Sequence, residues 1–343
     1  MTISSKPILV TGASGFIATH TIAQLLEKGY KVRGTVRSMK KEAEVRESVS
    51  KFVQKNVQLE IVSAELNQDE GWKEAIQDVE YVIHLASPFP LKEPNHEDEL
   101  IKPAVEGTLR VLKFAHDANV KRVVQVSSNA AVSAGYAGDN RTFTENDWSK
   151  VENKIGAYSK SKTLAERAAW DFINGAENKN KMEIVAINPP LVFGPVPNKN
   201  YNTSSEVIRT YMLGQVPGTA RIKMACVDVR DVASAIISAM EIKEAVGNRF
   251  LVSAGELWTY EIAKILHDEF SKRGYKIPTL QLPSFLVRLV ALFDLKVRAV
   301  VNSLDWDYKI SNEKAKQILK WNPRSPKESV LSMAESLIQQ GIL

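Results

Sequence analysis

The chain holds a single cysteine, Cys226, among its 343 residues. No disulfide can close within it, and no cysteine cluster can hold zinc. Its five histidines, His20, His84, His96, His116 and His267, show no metal-ligand spacing, so no metal is expected. No run of 18 apolar residues offers a membrane span. No apolar stretch precedes Ile8, which reads as the absence of a signal peptide and makes a cytoplasmic protein the expectation. Charge of one sign is also scarce. The formal net charge is +5, and Lys40, Lys41 and Arg46 are interrupted by Glu42, Glu44 and Glu47. That stretch is a solvated helix face rather than a nucleic-acid patch. No Gly-x-Ser-x-Gly turn is present, which removes the nucleophile elbow of one large hydrolase class. There is no internal repeat and no low-complexity tract.

What is present is a globular composition, 44% hydrophobic and 25% charged. The length suits one large domain or two smaller ones sharing a core. The first half alternates strand and helix signals. Ile8–Thr11, Lys31–Val36, Leu59–Val62, Val79–Leu85, Val123–Ser127 and Glu183–Asn188 read as strands. Phe16–Lys28, Trp72–Ile76, Ile101–Asn119 and Tyr158–Phe172 read as helices. Repeated β–α units predict a Rossmann-type α/β fold, a doubly wound parallel sheet with helices on both faces. The second half is less regular. Residues 189–200 carry four prolines and read as a stiff loop, and Leu282–Val301 reads as a packed helix pair around Asp294. The expected division is a cofactor domain over 1–190, with 225–253 returning to it. A smaller mixed α/β substrate lobe would come mainly from 191–224 and 254–343.

The run Gly12-Ala13-Ser14-Gly15-Phe16-Ile17-Ala18 follows the first strand and opens the first helix. Gly12 permits a tight turn, Gly15 lets backbone approach a pyrophosphate, and Ala18 lets the helix pack close to the sheet. Free N–H groups at the helix start can hold phosphates. The end of the second strand sorts the cofactors. An NAD site places an acid there, but this chain reads Gly34-Thr35-Val36-Arg37-Ser38. Arg37 can pair with a 2′-phosphate, and Lys41 is a second cation nearby, so NADPH/NADP+ is the expected cofactor.

Tyr158 and Lys162 stand four apart on one helix face. A cationic Lys162 beside Tyr158 favours the phenolate, which suits the phenol to hand a proton to a carbonyl oxygen. Tyr260 and Lys264 share the spacing but lie outside the β–α part of the chain. Ser127 and Ser128 end a strand at the ligand-binding edge of a parallel sheet. A hydroxyl there can hold a carbonyl oxygen, and the spacing does not say which serine does so.

These motifs resemble the extended short-chain dehydrogenase/reductases. They are closest to the branch of dihydroflavonol reductases, cinnamoyl-CoA reductases and fungal carbonyl or methylglyoxal reductases. The resemblance spans the chain. Beyond the glycine motif and the Tyr158/Lys162 pair, it rests on Thr35-Val36-Arg37, His84-Leu85-Ala86-Ser87-Pro88, Pro103-Ala104-Val105-Glu106-Gly107-Thr108 and Ser127-Ser128. Further along it rests on Asn188-Pro189-Pro190-Leu191-Val192-Phe193-Gly194-Pro195 and Val229-Arg230-Asp231-Val232-Ala233. It implies Ser128 as the catalytic serine, Tyr158 as general acid, and Lys162 as tuner of Tyr158 and holder of the ribose. Arg37 matches the arginine that takes the NADPH phosphate. Leu85, Ala86, Ser87 and Pro88 would pass beside the cofactor, with Pro189, Leu191 and Val192 flanking the nicotinamide. Glu65, before Leu66, stands where the branch has an aspartate near the adenine, and Asn129 is unusual after the serine pair.

The implied reaction is the reversible reduction of an aldehyde or ketone to an alcohol. The substrate wall is expected among Phe89, Phe193, Tyr201, Tyr211 and Met212. Two other readings compete: a nucleotide-sugar epimerase or dehydratase holding NAD, and a non-catalytic NADPH sensor. Expected partners are a small carbonyl compound, with neither nucleic acid nor membrane, in a monomer or homodimer.

Overall fold

The computed structural model describes residues 5–53, 58–88, 94, 96–199 and 203–343. The chain begins β1 (Ile8–Thr11), α1 (Phe16–Glu27), β2 (Val32–Val36), α2 (Glu42–Ser50), β3 (Leu59–Ser63), α3 (Trp72–Ile76), β4 (Tyr81–His84), α4 (Asp98–Asp117) and β5 (Arg122–Val126). It continues β6 (Thr142–Phe143), α5 (Gly156–Asn174), β7 (Glu183–Asn188), β8 (Leu191–Phe193), α6 (Thr203–Met212), β9 (Lys223–Asp228), α7 (Val229–Glu241), β10 (Arg249–Leu251) and β11 (Gly255–Trp258). It closes with α8 (Thr259–Phe270), α9 (Ser284–Val290), α10 (Leu295–Val300), β12 (Lys309–Ile310), α11 (Glu313–Leu319) and α12 (Pro326–Gln339).

Seven strands form one sheet in the order β3-β2-β1-β4-β5-β7-β10. Every neighbouring pair in it is parallel. The chain runs outward from β1 to β3, then crosses back to β4. That reversal places a crevice just outside the carboxyl ends of β1 and β4. The fold is a doubly wound, Rossmann-type α/β sheet.

Side chains alternate across each strand, so β1 feeds two cores. Ile8 and Val10 pack with Ile22 and Leu25 of α1 and with Val232 and Ile236 of α7. Leu9 points the other way, to Trp72, Val111, Leu112 and Phe172. Burying each such side chain contributes roughly 1.5–3 kcal/mol. Arg122 opens β5 inside this core without an unpaired charge. It pairs with Glu183 at 2.8 Å and donates to the Ala239, Met240 and Ile242 carbonyls, capping the carboxyl end of α7.

A second, three-stranded sheet, β11-β9-β8, carries the smaller lobe. Its core joins Ile208 of α6, Ile262 and Leu266 of α8, and Met333 and Leu337 of α12. Two sequence expectations change here. The proline-rich stretch is not all loop, because Leu191–Phe193 pairs in parallel with Cys226–Asp228 as β8. Pro189 and Pro190 precede that strand, where proline costs no ladder bond. The helix pair expected over Leu282–Val301 forms, but it is not packed all round. Val287 is buried, whereas Phe285 is 68% and Phe293 86% exposed.

Gly34 marks where β2 meets the first turn. A Cβ there would lie 2.7 Å from the Ala13 Cβ. Gly34→Ala is therefore expected to lose about 1–3 kcal/mol, read as a lower midpoint in denaturant. An unchanged midpoint would contradict that contact.

His20 ties α1 to the segment after β8, donating to the Pro195 carbonyl at 2.9 Å. Burial pushes its imidazole down to about 4, against the opposing pull of that carbonyl. The unfolded chain, with histidine near 6.5, binds the extra proton first on acidification. The stabilisation is complete above pH 6.5 and is lost as pH falls toward 4. Wild-type unfolding free energy should rise with pH across this window. In His20→Gln that slope should shrink by up to one proton, about 1.4 kcal/mol per pH unit. An unchanged slope would count against the buried neutral imidazole.

Candidate active site

The crevice is built on a contact between two backbones. Gly12 has φ +68°, and a Cβ there would sit 3.0 Å from the Ala86 Cα. Thr11, the residue before it, accepts the N–H groups of Leu85 at 3.1 Å and Ala86 at 2.9 Å on its hydroxyl oxygen. With both lone pairs taken, its own proton goes to His84 Nδ1, 2.9 Å away. His84 therefore carries its proton on Nε2. Burial pushes His84 down to about 3, and the charge of Lys162 acts in the same direction. A neutral histidine thus ends β4, with the Lys162 ammonium near it.

The first turn and the helix after it leave backbone amides that could hold a phosphate. Gly15 caps α1 with no side-chain bond, so no side chain competes for the first-turn amides that include Phe16 and Ile17. Ser14 is exposed beside them. At the end of β2, Arg37 is exposed and has no hydrogen bond or ion pair to any described residue. Lys41, by contrast, lies 2.6 Å from Glu44. Of the two cations, Arg37 is the one not already engaged. Ala64 donates to the Val36 carbonyl at 3.0 Å, so Glu65 and Leu66 follow directly beyond the neighbouring strand end. Glu65 is half-buried. An uncapped helix start and an unengaged guanidinium together fit a dinucleotide with a 2′-phosphate.

The structure separates the two serines that spacing left equivalent. Ser127 is buried and donates to Glu166 Oε2 at 2.6 Å. Ser128 is half-buried and caps the turn Asn129–Ala131, accepting the Ala130 N–H at 3.1 Å. Helix α5 packs against that turn. It carries Tyr158 and Lys162 on one stripe, with the Lys162 Nζ 5.9 Å from the Tyr158 ring centre. Both side chains are half-buried. Pro189 adjoins the same turn, its carbonyl accepting the Asn129 N–H at 2.9 Å. Ala86, Ser87, Pro88 and Leu191 are half-buried, while Val192 belongs to the core.

Of the residues expected on the substrate wall, Phe193, Tyr211 and Met212 are buried. They belong to the core of the smaller lobe with Ile208, Cys226 and Ile262, and Phe193 is fully buried. Inward positions on β8 and α6 face the other lobe helices, which explains the burial. Phe89 and Tyr201 lie outside the described residues.

One cluster escaped sequence reasoning. Glu166 is fully buried and pairs with Arg249 at 2.6 Å. Its Oε2 also accepts the Asn188 side-chain amide at 2.7 Å. Arg249 stacks on Trp148 at 3.7 Å and donates to the Glu145 and Asp147 carbonyls. The only sequence signal was spacing, since Glu166 stands four residues after Lys162 on the same stripe. Its partners stand just past β5, at the end of β7 and at the start of β10, which no local pattern connects.

Comparison with known proteins agrees with this geometry. Residues 8–253 match the model of the NAD dependent epimerase/dehydratase family. A ketoreductase of Aspergillus niger is 35% identical, over 84% of this chain and 90% of its own length. Cinnamoyl-CoA reductase 1 of Petunia hybrida is 34% identical, over 99% of this chain and 95% of its own. The crystal structure of the yeast methylglyoxal/isovaleraldehyde reductase complexed with NADPH superposes with a TM-score of 0.81 at 28% identity. It covers 98% of this chain and 100% of that one. With its doubly wound sheet and these full-length relatives, the chain belongs to the NAD dependent epimerase/dehydratase family, the extended short-chain dehydrogenase/reductases, in the branch that holds cinnamoyl-CoA and methylglyoxal reductases.

Proposed function

We propose that this protein reduces an aldehyde or ketone to an alcohol with NADPH, reversibly. The observation that carries the reading is the packing of α5, with Tyr158 and Lys162, against the turn that Ser128 caps, at the edge of the sheet where Gly12 meets Ala86. Full-length reductase relatives support it, among them one solved with NADPH. We also propose the division of labour. Residues 1–190, with 225–253, hold the cofactor, and 191–224 with 254–343 form most of the substrate lobe.

In this reading Gly12, Ser14, Gly15, Phe16 and Ile17 hold the pyrophosphate, and Arg37 holds the 2′-phosphate. Glu65 and Leu66 border the adenine. Leu85, Ala86, Ser87, Pro88, Pro189, Leu191 and Val192 border the nicotinamide half, and Lys162 holds the ribose hydroxyls. NADPH supplies the hydride that reaches the carbonyl carbon. Ser128 holds the carbonyl oxygen by a hydrogen bond. Tyr158 gives that oxygen a proton as negative charge builds on it. Lys162 keeps positive charge beside the phenol ring. One carbonyl compound, one NADPH and one proton thus give one alcohol and one NADP+.

The cofactor assignment rests on Arg37. Arg37→Ala should weaken NADPH binding about 10- to 100-fold, the worth of a charge-assisted bond, while leaving NADH binding unchanged. Titration of both cofactors by protein fluorescence reads this directly. Equal discrimination in wild type and variant would remove Arg37 from the site.

The proton donor is tested by Tyr158→Phe, which removes one oxygen and keeps the ring. Turnover should fall about 10²- to 10⁴-fold, with the NADPH Kd within a few-fold of wild type. Steady-state NADPH oxidation against a panel of aldehydes, ketoesters and aryl ketones measures it. Near-normal turnover in the variant would remove Tyr158 from the chemistry. Sugar nucleotide turnover with no net NADPH oxidation would favour an epimerase instead.

A further inference from the structure

The buried carboxylate of Glu166 stands next to the proposed site without touching the substrate, cofactor or reacting atoms in the mechanism above. It is anchored on α5, four residues beyond Lys162 and eight beyond Tyr158, on one helical stripe. Its oxygens receive bonds from three strand ends. Ser127, just past β5, donates at 2.6 Å. Asn188, the last residue of β7, donates at 2.7 Å. Arg249, the first residue of β10, donates from Nε at 2.6 Å. The same Asn188 amide nitrogen also donates to the Ser128 carbonyl at 3.1 Å. The peptide carrying Ser128 is therefore held on both sides by bonds that lead to a single carboxylate.

Such a placement is costly unless every group is paired. A carboxylate and a guanidinium taken out of water repay their desolvation only with good geometry and further hydrogen bonds. Both have them here, since the Arg249 head also reaches the Glu145 and Asp147 carbonyls and lies on the Trp148 ring. A helix-to-sheet contact of purely apolar side chains would allow small slides. Directional, charge-assisted bonds fix the register.

We propose that Glu166 is a positioning residue. It locks the helix that carries Tyr158 and Lys162 to the strand end that carries Ser128, and so sets the spacing between proton donor and carbonyl-holding hydroxyl. The proposal rests on the reductase reading for its kinetic consequence, but its structural part stands on these bonds alone. Misplacement of reacting groups by about 1 Å can cost on the order of 100-fold in rate.

Two variants and two readouts test it. Ser127→Ala cuts only the link to β5 and leaves the Arg249 pair intact. Its kcat should fall about 5- to 20-fold, with the KM for NADPH within about twofold, because alignment is lost and cofactor binding is not. The primary isotope effect with 4-deuterated NADPH should rise, since hydride transfer becomes more nearly rate-limiting. Glu166→Gln presents an amide to donors and leaves Arg249 unpaired, so it should lose about 100-fold in kcat or fail to fold. In the latter case Ser127→Ala decides. Amide hydrogen exchange is the second readout. The peptide over 127–131 should exchange at least about tenfold faster in Ser127→Ala, while peptides of β1 and α1 stay unchanged. Wild-type kcat and an unchanged isotope effect in Ser127→Ala would overturn the positioning role. Should the wild type reduce no carbonyl at all, the reductase reading fails by itself. Exchange over 127–131 then decides the lock: faster exchange upholds it, and unchanged exchange overturns it.

Discussion

Between the ends of β1 and β4 there is room for a hydrogen atom and little more. A Cβ on Gly12 would lie 3.0 Å from the Ala86 Cα, and the backbone there already has φ +68°. This closeness permits the rest of the crevice. It lets the Thr11 hydroxyl gather the Leu85 and Ala86 amides and give its proton to His84. It brings the carboxyl end of β4 level with the start of α1, whose first-turn amides face the opening. A side chain at Gly12 would part these strands and shift the start of α1.

Charge on the far side of the crevice is managed by pairing and by neutrality. His84 stays neutral because it is buried and because Lys162 is near it. The positive charge at the site is thus carried by lysine, while histidine serves as a hydrogen-bonding strut. Behind it, Glu166 and Arg249 neutralise one another where neither could stand alone. One face of α5 therefore shows two half-buried groups toward the crevice and one fully buried anion toward the sheet. A single helix can hold both because its side chains at four-residue spacing drift only slowly around the axis.

Much of this was legible in the chain. The main sheet announced itself through short apolar runs such as Ile8–Thr11 and Glu183–Asn188, each closed by glycine or proline. Parallel strands buried on both faces produce that pattern. The smaller lobe was harder to read. β8 is three residues long and hides between prolines, and its partner β9 lies some thirty residues on. β11 reads Gly-Glu-Leu-Trp, half-buried throughout, with no apolar run to mark it. The helices over 284–300 have an apolar sequence, and apolar sequence alone does not distinguish a packed helix from one facing solvent. At the proposed site, spacing singled out Tyr158, Lys162 and the serine pair. It could not divide Ser127 from Ser128, because that distinction depends on a carboxylate from another element. Phe193 and Met212 looked suitable for a wall, yet volume and shape placed them in the core of the lobe.

The central claim is direct hydride transfer from NADPH to a carbonyl carbon, with the proton coming from the tyrosine side of the site. The most direct measurement follows deuterium into the product. With 4-deuterated NADPH of the transferred face in ordinary water, the account predicts one deuterium on the carbinol carbon. With unlabelled NADPH in heavy water it predicts none on that carbon. Solvent deuterium on the carbinol carbon, or an alcohol formed without label from the cofactor, would contradict it.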